Sequence, residues 1–439
     1  MKKKVFALIA LVIVSLSVGI FAGGQGGSAA AASPESNVVT VWRDARGADH
    51  AGTKALNEAF TKETGIEVQT IVIPGEGNEI YQRLDVALLS GERVDVMRFP
   101  NPVIDSKYRS SGLLLPLNQL LEQIGYNYRS VHGNYLKFES SGDLLSLPYE
   151  QSIHAVFYNK DLFDKAGVPY PRAPWTWTDY AQIAQQITSR SESIYGSSMM
   201  NYPYMFYFLA RQQNVPAYKP DGTSNFDHPA FAESLKFFKD MTEVYQAQRS
   251  YTDFVAERTA WDHFASSNSI GMHFVGSWYT GLLTNYTDYP RDWRWGVVPS
   301  PAAGPNGNNN LVAGGTWAVN KNAQNPGNAA RYVAFVSNNY WKYFGGLPAR
   351  VDLTNAEVNQ ILGDIAAKSN GSVTVEELNT AFFNHGMGVV DEKIGGDIAS
   401  QYENIIKQWG ELYLVGELDL STTVQRIKTD VDRAIIENK

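Results

Sequence analysis

A chain of 439 residues exceeds the size at which one hydrophobic core keeps growing, so two domains are expected. Its 44% hydrophobic and 19% charged residues are ordinary for a globular protein, and a formal charge of -8 argues against nucleic acid or an anionic membrane surface as a partner. Cysteine is absent, which excludes disulfides and a lipid-bearing cysteine, while 24 Tyr and 10 Trp suit a binding surface as well as a core.

The amino terminus opens with Lys2 to Lys4, followed by an apolar run from Val5 to Ala22. This predicts a cleaved secretory signal peptide over 1–22, because the apolar core is short and no basic stop-transfer segment follows. The Gly-, Ala- and Ser-rich segment 23–36 then reads as a flexible leader.

Asn37 to Trp42 is a β-branched run suited to a buried strand, and Arg43 to Gly47 is expected to leave it as a polar loop. A helix over Thr53 to Glu63 places Leu56, Ala59 and Phe60 on one face and stops at Gly65. The strand Ile66 to Ile73 completes a βαβ unit, which implies a parallel sheet. A second unit runs through a helix at Asn78 to Leu89 and a strand at Val94 to Phe99; Gly75 and Gly77 make no full phosphate fingerprint. Loops at the carboxyl ends of such strands are where α/β sheets bind ligands, so Trp42, Arg43, Asp44, Arg98 and Asn101 are the first site candidates.

From Leu147 the chain reads Leu-Pro-Tyr-Glu-Gln-Ser, then an apolar run over Ile153 to Phe157, then Tyr158-Asn159-Lys160-Asp161-Leu162-Phe163. Gly167 should stop a one-turn helix, and after Pro169, Pro171 and Pro174 a new helix is capped by Thr176 with Asp179 three residues on. Asn201 to Phe208 is read as aromatic helix with Tyr202 and Tyr204 in a cleft, and Asp227-His228-Pro229 caps the next helix. A small-residue strand from Ser269 ends at Trp278, and strands at Trp295 to Pro301 and Ala313 to Val319 flank a Gly/Asn/Pro loop over Gly304 to Asn310. Asn325-Pro326 starts another helix, and from about Val375 the chain is expected to be helical, with a stripe through Leu412, Leu418, Val424, Ile427, Val431 and Ile435.

Catalytic and metal motifs are lacking: there is no Gly-x-Ser-x-Gly, no Gly-Lys-Ser phosphate loop and no His-Glu-x-x-His, and the seven histidines are scattered. A neutral sugar needs aromatic platforms with a few strongly hydrogen-bonding side chains. Trp42, Tyr204 and Trp278 are candidate platforms; Arg43, Asp44, Arg98, Glu150, Gln151 and Arg350 are candidate polar groups.

The order Leu147-Pro148-Tyr149, Tyr158 to Phe163, Ala166-Gly167-Val168-Pro169 and Thr176-Trp177-Thr178-Asp179 resembles the extracellular solute-binding proteins of carbohydrate ABC importers, a maltose-binding-protein-like family. Ser90, Gly91, Asp95 and Val96, Gly112 to Leu117, the strand ending in Gly276-x-Trp278, the two strands after Trp295, and Leu347-Pro348-x-Arg350 resemble further motifs of that family. The resemblance implies a two-lobed periplasmic binding-protein fold of class α/β, each lobe a mostly parallel sheet flanked by helices, with a ligand cleft between lobes. It implies lobe 1 over 37–150 plus 319–372 and lobe 2 over 151–318 plus 373–439, joined by crossings near Pro148 to Ser152, Thr316 to Asn320 and Asn370. It also implies a ligand site drawn from Trp42, Arg43, Asp44, Arg98, Asn101, Tyr149, Glu150, Gln151, Tyr202, Tyr204, Trp278, Gly315 and Arg350. The expected molecule is a non-enzymatic periplasmic monomer, without metal or cofactor and not lipidated, that hands a carbohydrate to the membrane permease of an ABC transporter. The alternatives are the same fold binding a charged sugar acid, an oligopeptide or a polyol phosphate, and a secreted glycan-active enzyme.

Overall fold

A computed structural model describes residues 37–75, 79–256, 261–304 and 309–438. The expected signal peptide and leader, Gly77, Asn78 and positions 305–308 of the Gly/Asn/Pro tract lie outside them.

Strand β1 (Val38–Asp44) is apolar and almost entirely buried, as a parallel strand covered on both faces must be. It lies between β2 (Glu67–Ile73) and β3 (Val96–Phe99), parallel to both. Strands β4 (Leu147–Asn159), β5 (Tyr195–Ser197), β6 (Ile270–Gly276), β7 (Trp295–Pro299), β8 (Asn309–Val319) and β9 (Gly388–Asp391) complete the described sheet. Its order is β2-β1-β3-β8-β4-β6-β5, with β7 on β4 and β9 on β8. The sheet is more mixed than the expected parallel lobes: β8 runs antiparallel to β3 and β4, and β4 antiparallel to β6 and β7. Antiparallel neighbours follow directly from one strand leaving and another returning along the same path.

The 13 residues of β4 are divided between two sets of partners. Its first half, Leu147 to Ile153, pairs with β8, and its second half, from His154 on, pairs with β6 and β7. The strands at Trp295 and Ala313, which flank the Gly/Asn/Pro loop, lie one after the other along β4, and only β8 continues to β3. The core divides at the same place. Val39, Phe60, Val96, Tyr149, Trp317 and Tyr332 share one cluster and Trp42, Leu84, Met97 and Tyr108 another, both on the β1–β3 side. Val156, Trp177, Phe206 and Ile427, and Phe157, Tyr279, Trp295 and Phe382, build the clusters on the far side.

Local signals set most element ends. Helix Ala51–Thr64 buries Leu56 and Phe60 and ends at Gly65, whose φ of 71° is the left-handed cap that glycine adopts without strain. Gly167 ends helix Lys160–Ala166 in the same way at φ 67°. The Thr176 hydroxyl accepts from the Asp179 amide while the Asp179 carboxylate accepts from the Thr176 amide at 2.8 Å, closing a capping box on helix Trp177–Ile187. Thr176→Ala should therefore cost about 1 kcal/mol. A urea midpoint unchanged from the parent's would show the box to be dispensable.

Four expectations are corrected. Arg43 to Gly47 is not a loop beyond Asp44, because the Asp44 carboxylate accepts from the Gly47 amide at 2.7 Å and starts the short helix Ala45–Asp49. The aromatic run from Asn201 is a 3-10 turn (Pro203–Phe206) followed by helix Phe208–Gln212. The carboxyl-terminal region is interrupted by β9 between helices Val375–Phe382 and Ala399–Leu414. Helix Asn355–Ala367, expected with the first lobe, buries Ile361, Leu362 and Ile365 against Phe157 and Trp295, so the chain has already changed sides before Asn370.

Candidate functional site

Side-chain alternation sends Val41 and Arg43 of β1, and Val96 and Arg98 of β3, to the face covered by helix Pro326–Phe344. At the carboxyl ends of these strands the two arginines replace core residues and meet aromatic rings. The Arg98 guanidinium lies 5.2 Å from the Tyr149 ring and 5.8 Å from Tyr340. That of Arg43 lies 5.7 Å from Trp317 and 5.8 Å from Phe344. Arg43 is 5% exposed and Arg98 half-buried, and the Nε of each is buried without a hydrogen-bond partner.

The crossing strand brings Tyr149 and Glu150 to this pair. A bulge between Pro148 and Glu150 inserts Tyr149 as an extra residue opposite β8. Its ring is fully buried, with Tyr340 at 4.4 Å, and a Cβ at Gly315 would stand 2.3 Å from its hydroxyl. Gly315 is thus the residue that admits Tyr149. Glu150 lies so close to the Gly346 turn that a Cβ there would meet its Oε1 at 2.5 Å. Burial pushes the Glu150 carboxyl up to about 7, against the pull of the Arg98 charge.

Gln151 donates its amide to the Leu347 carbonyl at 2.9 Å, and its side-chain oxygen accepts from the Tyr135 hydroxyl. Glu150, Gln151 and Gly315 also line a cavity of about 340 Å³ with Asp105, Tyr135 and Asp391. Of the residues expected in the site, the structure therefore gathers Arg43, Arg98, Tyr149, Glu150, Gln151 and Gly315 around the start of the crossing.

The others lie elsewhere or are engaged. Trp42, the neighbour of Arg43, faces the opposite side of β1 and is 2% exposed beside Tyr81, so its ring belongs to the core. Asp44 caps its own helix. Asn101 accepts from the Val103 and Ile104 amides and caps helix Pro102–Arg109. Arg350 is held by Asp352 through two bonds of 2.8 Å. Trp278 is partly exposed and packs on Trp261 and Tyr279 at 5.7 and 5.2 Å. Tyr202 stacks on Tyr204, which is 4% exposed and therefore mostly core.

Tyr204 belongs to a buried polar group further along β4. His154 Nε2 lies 3.3 Å from the Tyr204 hydroxyl and 3.4 Å from Glu392, which directly follows β9, and Lys393 lies over the Tyr204 ring. Burial pushes the His154 imidazole down to about 3 and the Glu392 carboxyl up to about 7, so both are neutral at mildly acidic pH.

Sequence reasoning missed Tyr340 and Phe344, which stack at 4.1 Å and provide the aromatic wall behind both arginines. Their spacing of four on a helix reads only as an apolar stripe.

The chain matches the family model described as bacterial extracellular solute-binding protein over residues 46–341. An arabinooligosaccharide-binding protein of Bacillus subtilis is 23% identical over 307 residues, 66% of this chain and 68% of that protein. Among solved structures, an ABC substrate-binding protein of Listeria monocytogenes in complex with cycloalternan superposes with a TM-score of 0.76 at 18% identity, covering 91% of this chain and 98% of that one. A maltose-bound protein of T. maritima gives 0.71 at 17% identity, covering 90% and 98%. Both share the fold. No described helix is long and apolar enough to cross a membrane.

Proposed function

The chain belongs to the bacterial extracellular solute-binding proteins, and from that premise we propose that it captures a carbohydrate in a cleft at the start of the crossing strands and presents it to an ABC transporter permease. One observation carries the reading most: Arg98 offers an unpartnered guanidinium nitrogen between Tyr149 and Tyr340, next to Glu150. Charged forks beside aromatic rings are what a ring of hydroxyls with apolar CH faces requires. The arabinooligosaccharide-binding relative and the cycloalternan and maltose complexes support the same ligand class.

The two lobes of the proposal follow the core clusters. Residues 37–150 with about 317–345 form the first, and about 152–312 with 353–438 the second. β4, β8 and the segment after Gly346 cross between them. This moves the third crossing from Asn370 to near Leu347, where Gln151 and Leu347 are hydrogen-bonded. Closure requires small dihedral changes at these residues while each lobe moves as a body, and ligand favours the closed form only by touching both lobes. The family consists of binding proteins, so capture rather than turnover is the proposed activity. The lysine-led apolar run before Ala22 supports export into a periplasm by a cleaved signal peptide, and the lack of cysteine supports a protein free of lipid.

A thermal-shift panel of mono- and oligosaccharides tests the proposal. A ligand at 100 times its dissociation constant should add about 2.7 kcal/mol of stability. Small-angle scattering with that ligand should give a smaller radius of gyration than without it. A shift without a change in radius would leave the binding and remove the closing mechanism; no shift with any sugar would remove the carbohydrate.

A further inference from the structure

Resting on the carbohydrate reading above, we infer that the sugar bears an anionic group, a carboxylate or a phosphate, seated on Arg98 and Arg43. Desolvated guanidinium groups are normally paired, since charge taken out of water without a partner is expensive. Arg350 follows that rule, holding Asp352 through two bonds, and so does Arg109, which holds Glu139 at 2.5 Å. Arg98 does not. It has no carboxylate of the described residues within ion-pair distance and no hydrogen bond, and its Nε is enclosed. Among the described residues Arg43, 5% exposed, makes one side-chain bond, of 3.4 Å to the Gly47 carbonyl, and its Nε has no partner there.

The acidic groups nearby offset the two arginines only in part. The Asp44 carboxylate accepts from the Gly47 amide that starts its helix and makes no ion pair with either arginine among the described residues. Glu150, the carboxyl whose field reaches Arg98, is raised by burial to about 7 and is therefore only partly ionised at neutral pH. Two cations thus stand on one face of the sheet, walled by Tyr149, Tyr340, Trp317 and Phe344 and without an ion pair among the described residues. A planar fork pairs with carboxylate and phosphate oxygens in two-point contacts, and the aromatic wall keeps that contact out of water. A neutral sugar would give the Arg98 guanidinium hydrogen bonds but no ion-pair partner.

The test is calorimetric titration of the mature protein with matched pairs: galacturonic acid and its trimer against galactose and galactotriose, and glucuronic acid and glucose 6-phosphate against glucose. The acidic member of at least one pair should bind at least tenfold more tightly than its neutral counterpart, and the uronate and phosphate arms decide which anion the site prefers. Arg98→Gln should reduce that preference at least tenfold, while Arg294→Gln, on a surface pair with Asp161 and Asp164, should leave it intact. Should Arg98→Gln fail to fold, the preference of the parent protein alone decides. Neutral sugars binding as tightly as their acids would overturn the inference and leave the carbohydrate reading standing; no binding in either arm would overturn both.

Discussion

Gly315→Ala is expected to lower the stability of the protein by about 3 kcal/mol, near the upper end of what overpacking a core costs. The added carbon would lie 2.3 Å from the Tyr149 hydroxyl and 2.4 Å from two of its ring carbons. That ring cannot yield cheaply: it is fully buried, held by Tyr340 at 4.4 Å and by Trp317 at 6.1 Å. Displacing it also removes the face on which Arg98 rests, so sugar affinity should fall together with stability. Chemical denaturation and titration of the same preparation report both effects. The assignment of cause comes from the double variant: Tyr149→Leu removes the colliding atoms, so the penalty of Gly315→Ala should shrink in that background, giving a coupling energy of opposite sign. Penalties that simply add would show that Gly315 matters for another reason, such as backbone freedom at the bulge.

The same residues show where sequence reading reached and where it stopped. Helix ends were legible because they depend on neighbours within four residues: Gly65, Gly167, Thr176 with Asp179, and Asn325 with Pro326 all fall where local chemistry puts them. Pairing was not, since nothing near Trp295 or Ala313 states which part of β4 each strand will meet. β9 escaped notice because its four residues are mostly exposed and pair only with β8, far back in the chain. At the site, β1 was correctly placed, but ligand contact depends on which face each residue takes. Trp42 and Arg43 are adjacent and go to opposite sides, one into the core and one to the aromatic wall. Tyr340 and Phe344 arrive from some 190 residues further along than Tyr149, on a helix whose pattern states only that it is packed.

The second large effect lies in the pH dependence of the His154–Glu392 pair, which couples the crossing strand β4 to the end of β9. His154 is 1% and Glu392 6% exposed, and their polar atoms lie 3.4 Å apart. Facing them are Tyr204, Lys393 and Glu403, the last two paired to each other at 3.4 Å, with the Tyr207 hydroxyl also on Glu403. Burial disfavours the charged form of both members of the pair, so their contributions run in opposite directions. The Glu392 carboxyl titrates near 7 when folded and near 4.5 when unfolded. Its contribution is complete below pH 4.5 and is lost as pH rises through 7. His154 titrates near 3 when folded and 6.5 when unfolded. Its contribution is complete above pH 6.5 and is lost as pH falls toward 3. Between pH 4.5 and 6.5 the two slopes offset each other in the parent protein, and single variants separate them. Relative to the parent, Glu392→Gln should gain on the order of 3 kcal/mol between pH 4.5 and 8, and His154→Gln a similar amount as pH falls from 6.5 to 4. His132 and Glu150 carry buried shifts of their own, but they are common to parent and variant and cancel in the difference. Denaturation at half-unit steps of pH measures both differences. Slopes of the reverse sign would mean that the proton sits on His154 and that a charged pair, not a neutral one, joins β9 to the crossing strand.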